Sequence, residues 1–272
     1  EKWLEGHGRK EWETYYTRES LERQRRFFDC FLKGEDSGIR DLPRVRIEIR
    51  DRFYQGRVRN FDDWPIPGTH YQPLYLNPLD QRMDYTPTER VSSSKYSAIQ
   101  TDRERDRIEL THVFSQKTDL AGSMKLKLWV QAEGSDDMDL HAALKKLDAT
   151  GNEIHFLDFQ HCEVGMVASG WLRASHRAQD EALSTESRPW HTHEREEKLS
   201  PGEIVAVEIE ILPSATGFLA GEALQLIIQG HDILKGHSRF NHEPDSVNAG
   251  HHLIHCGGEY DSHLLIPILP GD

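Results

Sequence analysis

Sixteen histidines punctuate this 272-residue chain, and seven of them, His231, His237, His242, His251, His252, His255 and His263, crowd into one short stretch. Imidazole offers two chemistries, metal ligation and proton transfer near neutral pH. A metal site needs two or three rings converging on one face, each oriented by a partner on its other nitrogen. His251, His255 and His263, or His191 and His193 in "WHTH", are the sets that could converge. There is no HExxH motif, however, and on a strand neighbouring residues point to opposite faces. Hydrogen-bonding histidines at strand ends and in loops are the simpler expectation. "GSDDMDLHAAL" adds Asp136, Asp137 and Asp139 but lacks the glycine and glutamate of an EF-hand loop. Calcium in this loop is the alternative to turn capping, or to pairing of Asp139 with Arg173 or Arg177 of "WLRASHR". The expectation is no metal and no cofactor.

Proton transfer needs a nucleophile to serve. A nucleophile elbow would read GxSxG on a sharp strand-to-helix turn, and no serine has that frame. "CGGEYDSHL" and "EDSGIRD" come nearest, and both fail. Cys30, Cys162 and Cys256 form no CxxC pair and no nucleophile signature. The glycine-flanked His7 in "EGHGRKEW" has no visible nucleophile to serve, an ordinary loop histidine is the simpler reading of the residues alone, and the chain holds no complete active site.

The elements that would position these residues fall into two classes. "SLERQRRFFDCFLKG" repeats Leu21, Phe28 and Leu32 at helical spacing, with Phe27 and Phe31 widening the stripe. A helix over 20–33 is expected, with Ser20 as N-cap and Gly34 just past its end. After "GEDSG" the period changes to two. Val45, Ile47 and Ile49 share one face of "RVRIEIR", and Leu126, Leu128 and Val130 one face of "MKLKLWVQA". "IVAVEIEIL" and "LQLIIQG" alternate likewise, with turns such as "DATGNE" between strands. That is the pattern of an antiparallel sandwich or barrel, so a boundary is expected between Gly38 and Pro43. Two polar stretches, 77–107 and 177–200, read as long loops carrying short strands at most.

Composition narrows the partners. A net charge of −13 argues against nucleic acid, whose binders present basic patches. No apolar run approaches the roughly 18 residues needed to span a bilayer, so no membrane partner is expected. The scattered cysteines weakly favour a reducing, cytoplasmic location. Glu1 to Tyr16 shows neither an initiating methionine nor a targeting signal, and the expectation is the cut edge of a larger protein.

Several stretches together resemble one family. "RRFFDCFLKGEDSG", "PRVRIEIR", "DDWPIPGTHYQPLYL", "SDDMDLHAALKKLDATGNE", "GWLRASHR", "LSPGEIVAVEIEILPSATGFLAGEALQLIIQG" and "HHLIHCGGEYDSHLLIPILP" resemble, in order, the X-Pro dipeptidyl-peptidase and cocaine-esterase-like (CocE/NonD) serine hydrolases. The resemblance implies a mainly β fold: a jelly-roll, galactose-binding-domain-like β-sandwich over residues 43–272. Before it, residues 1–42 would be the helical tail of an α/β-hydrolase domain. It also implies that His7 is the triad histidine, since in such hydrolases the triad runs Ser, then Asp or Glu, then His. The implied substrate of the whole protein is a small acyl ester or a peptide. The implied partner is a missing N-terminal hydrolase domain, with a homo-oligomer as the other way to cover the Phe face. A freestanding carbohydrate-binding jelly roll, stacking sugars on Trp171 and Trp190, is the alternative.

Overall fold

The computed structural model describes residues 1–100, 105–157, 164–233 and 246–271. Cys162, His237 and His242 lie outside the described residues. The chain begins with a short strand, β1 (Leu4–Gly6), a single helical turn, α1 (Glu11–Tyr15), and a long helix, α2 (Arg18–Lys33). Strands follow without further α-helix among the described residues: β2 (Val45–Arg52), β3 (Gln55–Phe61), β4 (His70–Asn77), β5 (Arg82–Asp84), β6 (Ser92–Ser97), β7 (Arg107–Val113) and β8 (Thr118–Glu133). The rest are β9 (Asp139–Leu147), β10 (Glu153–Ile154), β11 (Ala168–Arg173), β12 (Val205–Phe218), β13 (Ala223–Gln229), β14 (His251–Cys256) and β15 (His263–Ile268).

The helix differs from expectation at its start. Thr17, not Ser20, is the N-cap, and its Oγ1 accepts the Ser20 amide at 3.2 Å. The apolar stripe begins at Leu21, one turn after the cap, because the first turn is polar. At the other end Gly34 adopts φ 74°, a left-handed conformation that glycine takes without a Cβ penalty. The Phe-rich face is covered only in part. Phe27 packs edge-on against Trp3 at 5.9 Å, whereas Phe28 and Leu32 remain 52% and 76% exposed.

The jelly-roll β-sandwich forms by one ladder folding over on itself. β12, β8, β15 and β4 lie side by side, and β7, β13, β9 and β11 form the facing layer. β5 joins the layers, antiparallel to β4 and parallel to β7. β8 organises the first layer, since its 16 residues pair with β12 along one edge and with β15 and then β14 along the other. Its alternate residues Leu126, Leu128 and Val130 are fully buried and meet Leu224, Leu226 and Ile228 of β13 in one core. This is the period-two pattern becoming the inner faces of two sheets. At the open side β11 lies against β12 so closely that a Cβ on Gly170 would stand 2.0 Å from the Glu210 carbonyl oxygen.

A second, smaller core underlies the β2–β3 hairpin. Val45, Ile47 and Ile49 pack with Ile66, Ala121 and Leu269. The opposite face of β2, bearing Arg46, Glu48 and Arg50, turns toward the N-terminal segment. β1 lies parallel to β2, with Leu4 beside Val45 and Gly6 beside Ile47.

Candidate functional site

β1 ends at Gly6 and His7 follows at once, so the histidine stands where the chain leaves the sheet. Its ring is exposed, and its Nδ1 lies 3.1 Å from the Arg9 carbonyl oxygen and 3.4 Å from the Arg9 amide. The backbone beneath it is held firmly. The Gly8 amide donates to Glu48 Oε2 at 3.1 Å, and Arg9 Nη2 donates to Glu48 Oε1 at the same distance. The Arg50 stem fills the space beside Gly8, leaving a Cβ there only 2.7 Å from Arg50 Cδ. Arg50 itself reaches into the sandwich, donating to the Val167 carbonyl at 2.8 Å and to Ser214 Oγ at 2.7 Å, with Phe156 under its guanidinium. Burial pushes the Arg50 guanidinium down to about 10, against the attraction of Glu48. It remains a cation at neutral pH. The other side of the loop meets Tyr54, whose ring lies 5.7 Å from the Arg9 guanidinium carbon.

The acidic loop before β9 forms ion pairs and turn bonds rather than a cation cage. Asp139 receives a two-pronged bond from Arg173, Nε to Oδ1 at 2.7 Å and Nη2 to Oδ2 at 3.1 Å, and a third bond from the Val247 amide. Burial raises the carboxyl, but Arg173 and the Val247 amide together outweigh it and hold Asp139 below the usual range. The fully buried Asp137 takes the Met138 and Ser175 amides and Lys198 Nζ at 2.9 Å each. Arg177 turns elsewhere, to the carbonyls of Ala174 and Glu197.

The histidines are dispersed into separate hydrogen bonds. His255 Nε2 meets Gln131 Oε1 at 3.0 Å, and His263 Nδ1 meets the Asp261 carbonyl at 2.6 Å. His176, His191 and His193 do gather, with ring centres 5.3 and 6.0 Å apart. Among the described residues, however, no group of three His, Cys, Asp or Glu is placed to hold a metal ion. Trp171 and Trp190 are both exposed, and the Arg188 guanidinium stands 5.4 Å from the Trp190 ring. Glu48 and Arg50 were legible only as the polar positions of an alternating strand. Their partners lie some 40 residues back and more than 100 residues ahead.

The family model described as the X-Pro dipeptidyl-peptidase C-terminal non-catalytic domain matches residues 37–265. The chain belongs to this family. As such a domain it is 46% identical to a CocE/NonD family hydrolase from Staphylococcus aureus, with a TM-score of 0.94 over 99% of this chain and 49% of that one. The cocaine esterase of Rhodococcus sp. (strain MB1 Bresler) is 22% identical over 94% of this chain and 47% of its own length. An aminopeptidase from a marine sediment archaeon, Thaumarchaeota archaeon, shares the fold at TM-score 0.62 and 16% identity, over 91% of this chain and 44% of that one. The chain spans about half the length of these relatives. It is a non-catalytic C-terminal domain of the CocE/NonD hydrolase family, and the family match begins after the His7 loop.

Proposed function

We propose that this chain is the C-terminal part of a serine hydrolase that cleaves ester or amide bonds by acyl transfer. In this reading His7 is the base of a Ser-His-Asp triad whose serine and aspartate precede it in the whole protein. The observation that carries the reading is an exposed imidazole on a clamped backbone. A triad histidine takes the serine proton on one ring nitrogen and donates from the other to a carboxylate. His7 offers a ring that meets only its own loop among the described contacts, on a support fixed by Glu48 and Arg50. The exposed rings of Trp12 and Phe28 fit the same reading, as a surface for the hydrolase domain to cover. A small acyl ester is the favoured substrate, with a peptide that releases an N-terminal dipeptide ending in proline as the amide counterpart.

The test is made in the whole hydrolase with two chromogenic probes, 4-nitrophenyl acetate and glycyl-prolyl-4-nitroanilide. His7→Ala should lower turnover of the better probe by at least about 10³-fold, as expected for loss of a triad member. A variant that keeps its parent's rate would remove His7 from the mechanism. The probe that turns over faster assigns the bond type.

A further inference from the structure

Glu48 sits in the middle of β2, within the region matched by the non-catalytic family model, yet both its oxygens serve the histidine loop. Its side chain is only 9% exposed, and it points away from the small core that Ile47 and Ile49 build. Room for it is made across the hairpin by Gly56, where a Cβ would stand 2.6 Å from Glu48 Cγ. The two partners, the Gly8 amide and the Arg9 guanidinium, belong to the two residues that follow His7. With the Arg9 side chain 39% exposed the ion pair adds little net stability, and its consequence is geometric. A carboxylate bonded to a backbone amide and a side chain of one loop sets where that loop sits and which way its peptide faces. Such precision has a use at a catalytic base, since a misplacement of about 1 Å can cost on the order of 100-fold in rate. Unlike Arg50, which is shared with Val167 and β12, Glu48 has its polar contacts in this loop.

We propose that Glu48 is the positioning residue for His7: the jelly roll, through this one carboxylate, holds the triad base in register with a nucleophile supplied by the other half of the protein. The proposal rests on the reading of His7 as that base. It gives the non-catalytic domain a direct part in setting the turnover rate, beyond covering or stabilising its neighbour.

The experiment compares Glu48→Ala, Glu48→Gln and His7→Ala in the whole hydrolase with the faster chromogenic probe. Amide hydrogen exchange at Gly8 and Arg9 is followed in parallel in the present chain. Glu48→Ala should lower kcat by about 30-fold with KM within twofold. Glu48→Gln keeps an acceptor for the Gly8 amide and should recover to within about fivefold of the parent. Exchange at Gly8 and Arg9 should quicken in the alanine variant while the Ile47 and Ile49 amides stay protected. An unchanged kcat in Glu48→Ala beside an inactive His7→Ala would overturn the positioning role and leave the triad reading intact. Activity surviving in His7→Ala would instead overturn the triad reading. If glutamine fails to rescue and exchange quickens throughout β2, Glu48 is a structural residue and the proposal is wrong.

Discussion

His252 has no exposed surface, and both its ring nitrogens are engaged, Nδ1 with the Tyr96 hydroxyl at 3.0 Å and Nε2 with Asn248 Oδ1 at 3.1 Å. Burial pushes this imidazole down to about 4, against the opposing pull of Asp139. An unfolded histidine titrates near 6.5, so between those values the unfolded chain binds the proton and the folded chain refuses it. Stability therefore falls as pH drops through that window, by roughly 2–3 kcal/mol from this residue alone. His191, His255 and His263 are lowered by burial in the same direction and add to the loss. Urea unfolding at pH 7 and pH 4.5 should show a smaller loss for His252→Phe than for the parent, even though the variant starts less stable. An equal loss would assign the pH dependence to the other histidines. Asp139 has the same sign in a lower pH window, because its carboxyl too is depressed in the fold. Its contribution is present above about pH 3.9 and fades as pH falls below that. With side chains 14% and 31% exposed, the Asp139–Arg173 pair lies between a surface bridge and a buried one. Asp139→Asn should cost about 2 kcal/mol at pH 7, and the gap should narrow as pH falls below about 3.9. A pairing of Asp139 with Arg173 or Arg177 was legible from the family resemblance, which places their strands near each other, but the choice of Arg173 was not. The Tyr96–His252–Asn248 chain was not, because Tyr96 lies 156 residues from His252 and nothing in the strand pattern pairs the two.

Elements show the same division between local and long-range information. β8 and β12 announce themselves by alternation, since each buries one face and leaves the other largely polar. β1 does not, because three residues of "LEG" are too few to display a period, and its strand character comes from the Leu4 amide bonding to the Arg44 carbonyl at 2.8 Å. The N-cap of α2 was displaced by three residues for a related reason: the apolar stripe begins one turn inside the helix at Leu21, while the cap at Thr17 marks where hydrogen bonding starts. Thr17→Ala should therefore lower the stability of the helical segment by about 1 kcal/mol, read as earlier loss of the 222 nm circular dichroism signal on heating. The closure of β11 over β12 depends on a position rather than a pattern. Gly170→Ala would drive a methyl into the Glu210 carbonyl, and the strands must part to admit it. A loss of several kcal/mol is expected, against well under 1 kcal/mol for alanine at the neighbouring Ser169, by chemical unfolding of the two variants.

At the scale of the molecule, the proposed division of labour between a hydrolase half and this chain yields a prediction for this chain alone. It presents an imidazole with no hydroxyl, thiol or carboxylate among its described contacts, and an acyl transfer needs all three parts of a triad in line. Residual catalysis after loss of a triad member depends on an oxyanion hole and on substrate binding. In α/β-hydrolases the oxyanion amides come from the nucleophile elbow and an earlier loop, and no elbow sequence occurs here. The chain on its own should therefore leave 4-nitrophenyl acetate at the buffer rate, and His7→Ala should change nothing. In the proposed whole protein, the hydrolase half and this chain should nevertheless recognise each other. Phe28, Leu32, Trp12 and Tyr16 leave an apolar surface on the helical segment that the jelly roll does not cover. If the hydrolase half is the partner, adding it as a separate polypeptide should restore turnover and quench the Trp12 environment together. Phe28→Glu should weaken that restoration by at least tenfold while leaving the isolated chain's stability within about 0.5 kcal/mol, as for other exposed sites. Turnover by the chain alone, abolished by His7→Ala, would mean that a nucleophile lies within these 272 residues. The catalytic centre would then belong to the jelly roll, and the division of labour would have to be redrawn.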